Sequence, residues 1–215
     1  MYEKVFQTIL DTKIVAILRG VKVEQVKPVA EALYRGGIRC IEVTFDQAKG
    51  PENTVKSMEL LAEAFDGRMF IGAGTVLTVE QVEAAHRAGG AFIISPGIDQ
   101  QVIQRTRELG LVSIPGAATA TEVIRADQWG ASIVKIFPAG DLGPGYIKSL
   151  RGPLEHIVYC AVGGVDHKNL AAFHKAGVAC FGVGSNIARK DLLAAEDYAG
   201  IEANARLYTM QTEVW

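Results

Sequence analysis

The sequence has little that would place it in a membrane, on a nucleic acid or around a metal ion. Its apolar runs stop far short of the roughly 18 residues that a membrane span requires. The opening stretch MYEKVFQTILDTK has neither the basic start nor the apolar block of a secretory signal, so a cytoplasmic protein is expected. Charge of either sign is not in excess: 22 Lys and Arg stand against 24 Asp and Glu, a formal net charge of −2. Such a balance exerts no broad pull on nucleic acid or on an anionic membrane, so any anionic ligand has to be held by a local site. Cysteine is scarce. Cys40, Cys160 and Cys180 are odd in number, far apart and each set in an apolar run, which argues against a disulfide framework and for small buried core residues. The four histidines, His86, His156, His167 and His174, include no pair at zinc-ligand spacing, and no Cys/His or Asp/Glu cluster suggests a metal centre. No metal or other cofactor is expected. Linkers, low-complexity tracts and charge runs are missing too.

What is present is a repeated alternation. The 215 residues are 49% hydrophobic, enough for a sizeable core. Short apolar runs at Ile14–Leu18, Cys40–Thr44, Met69–Gly72, Ala91–Ser95, Val112–Ile114, Ser132–Ile136, Val158–Val162 and Cys180–Val183 read as parallel strands covered on both faces. Between them, Val23–Tyr34, Val79–His86, Gln101–Glu108, Thr121–Gln128 and Lys168–Lys175 carry apolar residues at helical spacing. Several helices run into a glycine just before the next strand, as at Gly37 and Gly130, and Asp99, Thr119 and Asp166 stand where N-caps belong. Eight strands with intervening helices predict one closed (β/α)₈ barrel domain over residues 1–215, with an open doubly wound sheet as the alternative. The first ten residues are expected to form a helix over the barrel bottom. The chain from about Asp191 reads as helical, with a loose end over Thr209–Trp215.

In such a barrel the chemistry sits at the C-terminal ends of the strands. Lys135, in ASIVKIFPA, is a lysine in the middle of a buried strand. Burial disfavours its charged form and leaves an amine able to attack a ketone, although a structural ion pair or a phosphate contact would also account for it. Glu42, in IEVTF, is a buried carboxylate suited to proton transfer, or else a structural partner for Lys135 or Arg19. Arg19 ends strand 1, where its guanidinium could grip a carboxylate or make a rim salt bridge. Thr44 and Thr75 could bond substrate oxygens, and the small residues Gly72-Ala73-Gly74 would let a ligand approach the backbone. Val162-Gly-Gly-Val165 and Gly182-Val-Gly-Ser185 end the last two strands, where backbone N–H groups commonly bind phosphate in this fold.

In order along the chain, IVAILRG, IEVTF, IGAGTVLTVEQV, ISPG, IPGAATATEV, VKIFPA, GPGYIKSLRGPL, AVGGV and GVGS resemble the 2-keto-3-deoxy-6-phosphogluconate (KDPG) / 4-hydroxy-2-oxoglutarate (KHG) aldolases. The resemblance runs from about Ile14 to Ser185. It implies a trimeric (β/α)₈ barrel acting as a Schiff-base aldolase on a phosphorylated 2-keto-3-deoxy sugar acid, releasing pyruvate. The Schiff-base lysine falls on Lys135 and the proton-transferring glutamate on Glu42. Further binding residues fall on Thr75, Pro96 and Phe137, and the phosphate loops on Gly163, Gly164, Gly184 and Ser185. Some members have an arginine where this chain has Asp46; others have one where Arg19 stands, so carboxylate binding is assigned to Arg19. The galactonate branch shares the LRG, ATATE and KIFP strings, which leaves the C4 epimer open. Two other readings stand beside it: a phosphosugar isomerase or decarboxylase using Lys135 only as a charge, and a non-catalytic phosphosugar-binding barrel.

Overall fold

A computed structural model describes all residues, Met1–Trp215. Nine parallel strands form one sheet: β1 Ile14–Leu18, β2 Cys40–Thr44, β3 Phe70–Gly74, β4 Phe92–Ile94, β5 Val112–Ile114, β6 Gly116–Ala117, β7 Val134–Ile136, β8 Tyr159–Val162 and β9 Cys180–Val183. The hydrogen-bonded order is β5-β4-β3-β2-β1-β9-β8-β7-β6. β5 and β6 are two pieces of the fifth barrel strand, separated by Pro115, which has no N–H to give the ladder. β5 pairs with β4 and β6 with β7, so the chain itself closes the barrel at that point. The eight-strand barrel is therefore correct, with its fifth strand split.

Ten helices accompany the strands: α1 Tyr2–Thr12, α2 Val23–Arg35, α3 Glu52–Ala64, α4 Val79–Arg87, α5 Gln100–Glu108, α6 Ala120–Gln128, α7 Ala139–Arg151, α8 Leu170–Lys175, α9 Lys190–Ala194 and α10 Tyr198–Thr212. Their apolar faces and the outer faces of the strands make the main core of 48 buried residues. A separate cluster of 13 fills the barrel interior, where Cys40, Cys160 and Cys180 meet Phe92, Ile114 and the α1 residues Val5 and Ile9. α1 thus plugs the barrel bottom as expected. The three cysteines are buried and free.

Asp99 and Thr119 cap α5 and α6 as expected; Asp99 accepts from the Val102 N–H at 2.9 Å, and Thr119 forms a capping box with Glu122. Three expectations need correction. Asp166 caps a turn rather than a helix, accepting from the Lys168 and Asn169 N–H groups, and α8 begins only at Leu170. β3 extends two residues beyond the expected Gly72, because Gly72 and Gly74 are strand residues that make room for neighbouring side chains. The C-terminal end is not loose. α10 continues to Thr212, Thr209 Oγ1 donates to the Gly36 carbonyl at 2.8 Å, and the Trp215 ring stacks on His174 at 4.3 Å.

Candidate active site

β2 and β7 lie on opposite sides of the barrel, and each carries a charged residue inward. Glu42 and Lys135 are only 3% and 6% exposed, which is unusual for groups that strongly prefer water. They form no ion pair with each other or with any other residue, and Glu42 Oε2 is buried with no hydrogen-bond partner. Burial pushes the Glu42 carboxyl up to about 7, against the opposing pull of Lys135 and Arg19. Burial also holds the Lys135 ammonium below its ordinary range, despite the nearby Glu42 carboxylate. The Lys135 Nζ lies 4.9 Å from the centroid of the Phe137 ring, a face that supplies attraction but no proton acceptor. The pair therefore offers a carboxyl that can both give and take a proton near neutral pH, opposite an amine whose protonation burial disfavours.

Glycine makes the space for this carboxyl. A Cβ on Gly74 would collide with Glu42 Oε1, and one on Gly72 would collide with the Phe92 ring. The small residues of β3 thus admit the side chains of neighbouring strands.

Above the pair, Arg19 is exposed at the end of β1, and its Nη2 donates to Thr75 Oγ1 at 3.3 Å. It makes no rim salt bridge. Thr75 has φ +56°, a strained backbone for a β-branched residue and one found where surroundings enforce it. Those surroundings are two glutamines that do not stand out in the sequence. Gln47 Nε2 donates to the Thr75 carbonyl at 2.7 Å; Gln81 Nε2 donates to Gln47 Oε1 at 2.9 Å, and Gln81 Oε1 accepts from the Leu77 N–H at 2.7 Å. Nothing in their spacing marks them, since they stand 34 residues apart and meet only through the fold.

Two cavities open at this end of the barrel, and Arg19 and Lys22 line both. The larger, about 810 Å³, contains Phe137, Gly163, Gly164, Gly184 and Ser185. Gly163 and Gly164 take φ values of +83° and +71°, open to glycine at little cost. The N–H groups of Gly163, Gly164, Gly184 and Ser185 donate to no backbone acceptor. β8 and β9 are neighbours, so the two glycine loops share one wall, as their placement implied. Lys22, Asn186 and Lys190 add polar and cationic groups to this cavity that no sequence motif marks. The smaller cavity, about 440 Å³, contains Thr44 and Thr75. The Thr44 hydroxyl faces the Leu18 carbonyl at 3.4 Å. Pro96 lines neither cavity; it is exposed, and its carbonyl lies against Gly116. No group of His, Cys, Asp and Glu is arranged to hold a metal ion.

A buried lysine and a buried acid, under a mouth with an arginine and two open glycine loops, define a site for Schiff-base chemistry on an anionic carbonyl compound. Comparison with known proteins agrees. The family model "KDPG and KHG aldolase" matches residues 5–204, and the chain belongs to that family of carbon–carbon lyases. It is 35% identical over 202 residues to the 2-dehydro-3-deoxy-phosphogluconate aldolase of Treponema pallidum, covering 93% of each chain. It is 38% identical over 177 residues to the 2-dehydro-3-deoxy-6-phosphogalactonate aldolase of Escherichia coli K12, covering 82% of this chain and 84% of that one. Among solved structures, a KDPG aldolase from Legionella pneumophila, with pyruvate captured as a covalent carbinolamine, superimposes with a TM-score of 0.83 at 29% identity, over 96% of this chain and 97% of that one.

Proposed function

We propose that residues 1–215 act as one barrel domain that reversibly cleaves 2-keto-3-deoxy-6-phosphogluconate to pyruvate and D-glyceraldehyde 3-phosphate, and 4-hydroxy-2-oxoglutarate to pyruvate and glyoxylate. The observation that carries this reading is the unpaired burial of Lys135 and Glu42 on facing strands. The Lys135 amine adds to the C2 ketone, and loss of water gives an iminium. Glu42 removes the C4 hydroxyl proton, the C3–C4 bond breaks, and its electrons pass into the iminium to leave an enamine. The aldehyde departs. Glu42 returns the proton to C3, and hydrolysis frees pyruvate and the amine. A carboxyl near neutrality suits both of its steps.

Arg19, beside Thr75 at the mouth, binds the substrate carboxylate, and Thr44 and Thr75 approach its oxygens. The free N–H groups of Gly163, Gly164, Gly184 and Ser185 receive the phosphate, with Lys22 and Lys190 adding charge. Phe137 packs over the amine, and Pro96 shapes the rim. Unpaired buried charges are expensive to keep, which speaks against a non-catalytic barrel or an isomerase using Lys135 only as a charge.

The C4 epimer of the substrate, the phosphogalactonate, is the second reading. It is supported by the 38% identity to a relative of that name and by the LRG, ATATE and KIFP strings shared with the galactonate branch. The homotrimer, the place in Entner–Doudoroff carbohydrate metabolism and the cytoplasmic location rest on family resemblance, with three free thiols agreeing with a reducing compartment. No helix is long and apolar enough to cross a membrane. Borohydride reduction with pyruvate, followed by peptide mass analysis, tests the mechanism: a pyruvyl adduct on the Lys135 peptide is expected, and its absence from folded protein would overturn the Schiff base. Turnover of the two epimers then decides between the substrates.

A further inference from the structure

Arg19 reaches the mouth of the barrel as an exposed side chain held by a single hydrogen bond, from Nη2 to Thr75 Oγ1. An arginine on a flexible stem samples many rotamers. It grips a carboxylate with two parallel bonds at least cost where something has already fixed the fork. Here the fixing group is a threonine in the left-handed backbone region, which a β-branched residue leaves when nothing enforces it.

The enforcement comes from the loop after β2. The Gly74 carbonyl at the end of β3 accepts from the Phe45 N–H at 2.8 Å. One residue on, the bonding between these two strand ends passes to a side chain, with Gln47 Nε2 donating to the Thr75 carbonyl. The loop is folded to aim that side chain: Asp46 Oδ1 accepts from the Ala48 N–H at 3.0 Å, Asp46 bridges Gly50, and Gly50 takes φ +83°.

The two glutamines form a relay whose direction is fixed at both ends. The Thr75 carbonyl can only accept, so Gln47 turns Nε2 toward it and Oε1 away. Gln47 Oε1 then accepts from Gln81 Nε2, and Gln81 Oε1 faces the Leu77 N–H, which can only donate. Each amide therefore has one orientation. Leu77 stands next to Thr78, the N-cap of α4, so the relay ties the Thr75 carbonyl to the start of a helix. Gln81 lines neither cavity and is out of reach of a substrate.

We infer that Gln47 and Gln81 are positioning residues for recognition of the substrate carboxylate. They hold Thr75 in its left-handed backbone and, through its hydroxyl, hold Arg19 in the orientation that receives the carboxylate. This role rests on the proposed aldolase reading, in which Arg19 takes the carboxylate of pyruvate. Neither glutamine bonds to Lys135 or Glu42, so the relay acts on binding and leaves the covalent chemistry alone.

Borohydride trapping of two ketones separates this role from a merely structural one. Pyruvate carries the carboxylate and acetone does not, yet both can form an imine with Lys135. Gln47→Met keeps the length of the side chain and loses its donor. The pyruvate concentration for half-maximal trapping should rise about five- to tenfold, the scale of one lost hydrogen bond, while the rate of acetone trapping stays within about twofold. In turnover the loss should appear in KM, with kcat little changed. Gln81→Glu keeps the acceptor for Leu77 but loses the donor to Gln47, and should show the same selective defect in smaller measure. In a Thr75→Ala background, Gln47→Met should add nothing. An equal loss with both ketones would mean a general loosening of the mouth and overturns the proposal. So does an undiminished effect in the Thr75→Ala background, which would mean that Gln47 meets the substrate itself. Failure of wild-type protein to trap pyruvate overturns the aldolase reading and this role with it, whereas wild-type trapping matched by both glutamine variants overturns the role alone.

Discussion

The lower and upper halves of the barrel interior are built on the same strands to opposite rules. Below, Val15, Cys40, Cys160 and Cys180 close over Val5 and Ile9 of α1 with no charge among them. Above, β2 and β7 carry Glu42 and Lys135 inward without giving either an ionic partner, and β3 offers glycines where side chains would otherwise fill the space. The lower half gains stability from each residue it buries. The upper half gives some of that stability up, burying two groups whose charged forms burial disfavours. A change below should therefore alter stability without altering chemistry, whereas a change above should alter chemistry first, with any effect on stability following from the charge or space it changes.

The largest expected effect is at Lys135. Lys135→Ala removes the nucleophile and should lower kcat/KM on the order of 10⁴-fold or more, with no trapped pyruvate, while the protein stays folded. Turnover within tenfold of wild type would end the comparison as drawn. Glu42→Gln comes next: a loss of about 10²–10⁴-fold in kcat with KM little changed, because general acid–base help is removed but the shape of the site is kept. In the lower half, Ile9→Ala should reduce unfolding free energy by about 2–5 kcal/mol in denaturant titration, with kcat unaltered below the transition.

Stability against pH sharpens the contrast further. A carboxyl held near 7 in the folded state, against an ordinary value of 4.5, binds its proton more tightly folded than unfolded. Its stabilising contribution is complete below pH 4.5 and is lost as pH rises through 7. Glu42→Gln should therefore be more stable than wild type at pH 8 by on the order of 3 kcal/mol and show little of that gain at pH 4, measured by urea unfolding at both values. The smallest effect belongs to Gly74→Ala. Its new methyl would overlap Glu42, so about 1–3 kcal/mol of destabilisation is expected, together with a displaced acid and slower turnover. Full activity in that variant would show that the carboxyl has room to move.

Most of this architecture is legible in the sequence, and what is not has identifiable causes. Buried parallel strands announce themselves as continuous apolar runs, so β1, β2, β5 and β9 fall at their expected bounds. β3 reads two residues short because Gly72 and Gly74 look like a turn until Phe92 and Glu42 are seen to occupy their missing side chains. α3 and α7 do not stand out by periodicity. In α7, Gly143 breaks the helix with φ +78°, and Pro144 follows it, so the segment lacks an even period. The tail reads as loose because its anchors, Gly36 and His174, are distant in sequence. In the site, Lys135 and Glu42 stand out because charge inside an apolar run is conspicuous. Gln47 and Gln81 are ordinary polar residues on exposed segments, and only their meeting beneath Thr75 gives them meaning.

The split at Pro115 has a consequence for how the molecule behaves at high concentration. A sheet whose order begins at β5 and ends at β6 would, if open, present two unpaired margins to any passing chain, the usual template for strand-to-strand aggregation. Here the two margins are consecutive residues of one strand, joined through the proline and bonded to opposite neighbours. The sheet has no loose border to offer, so self-association of the folded protein has to use surfaces other than a strand edge.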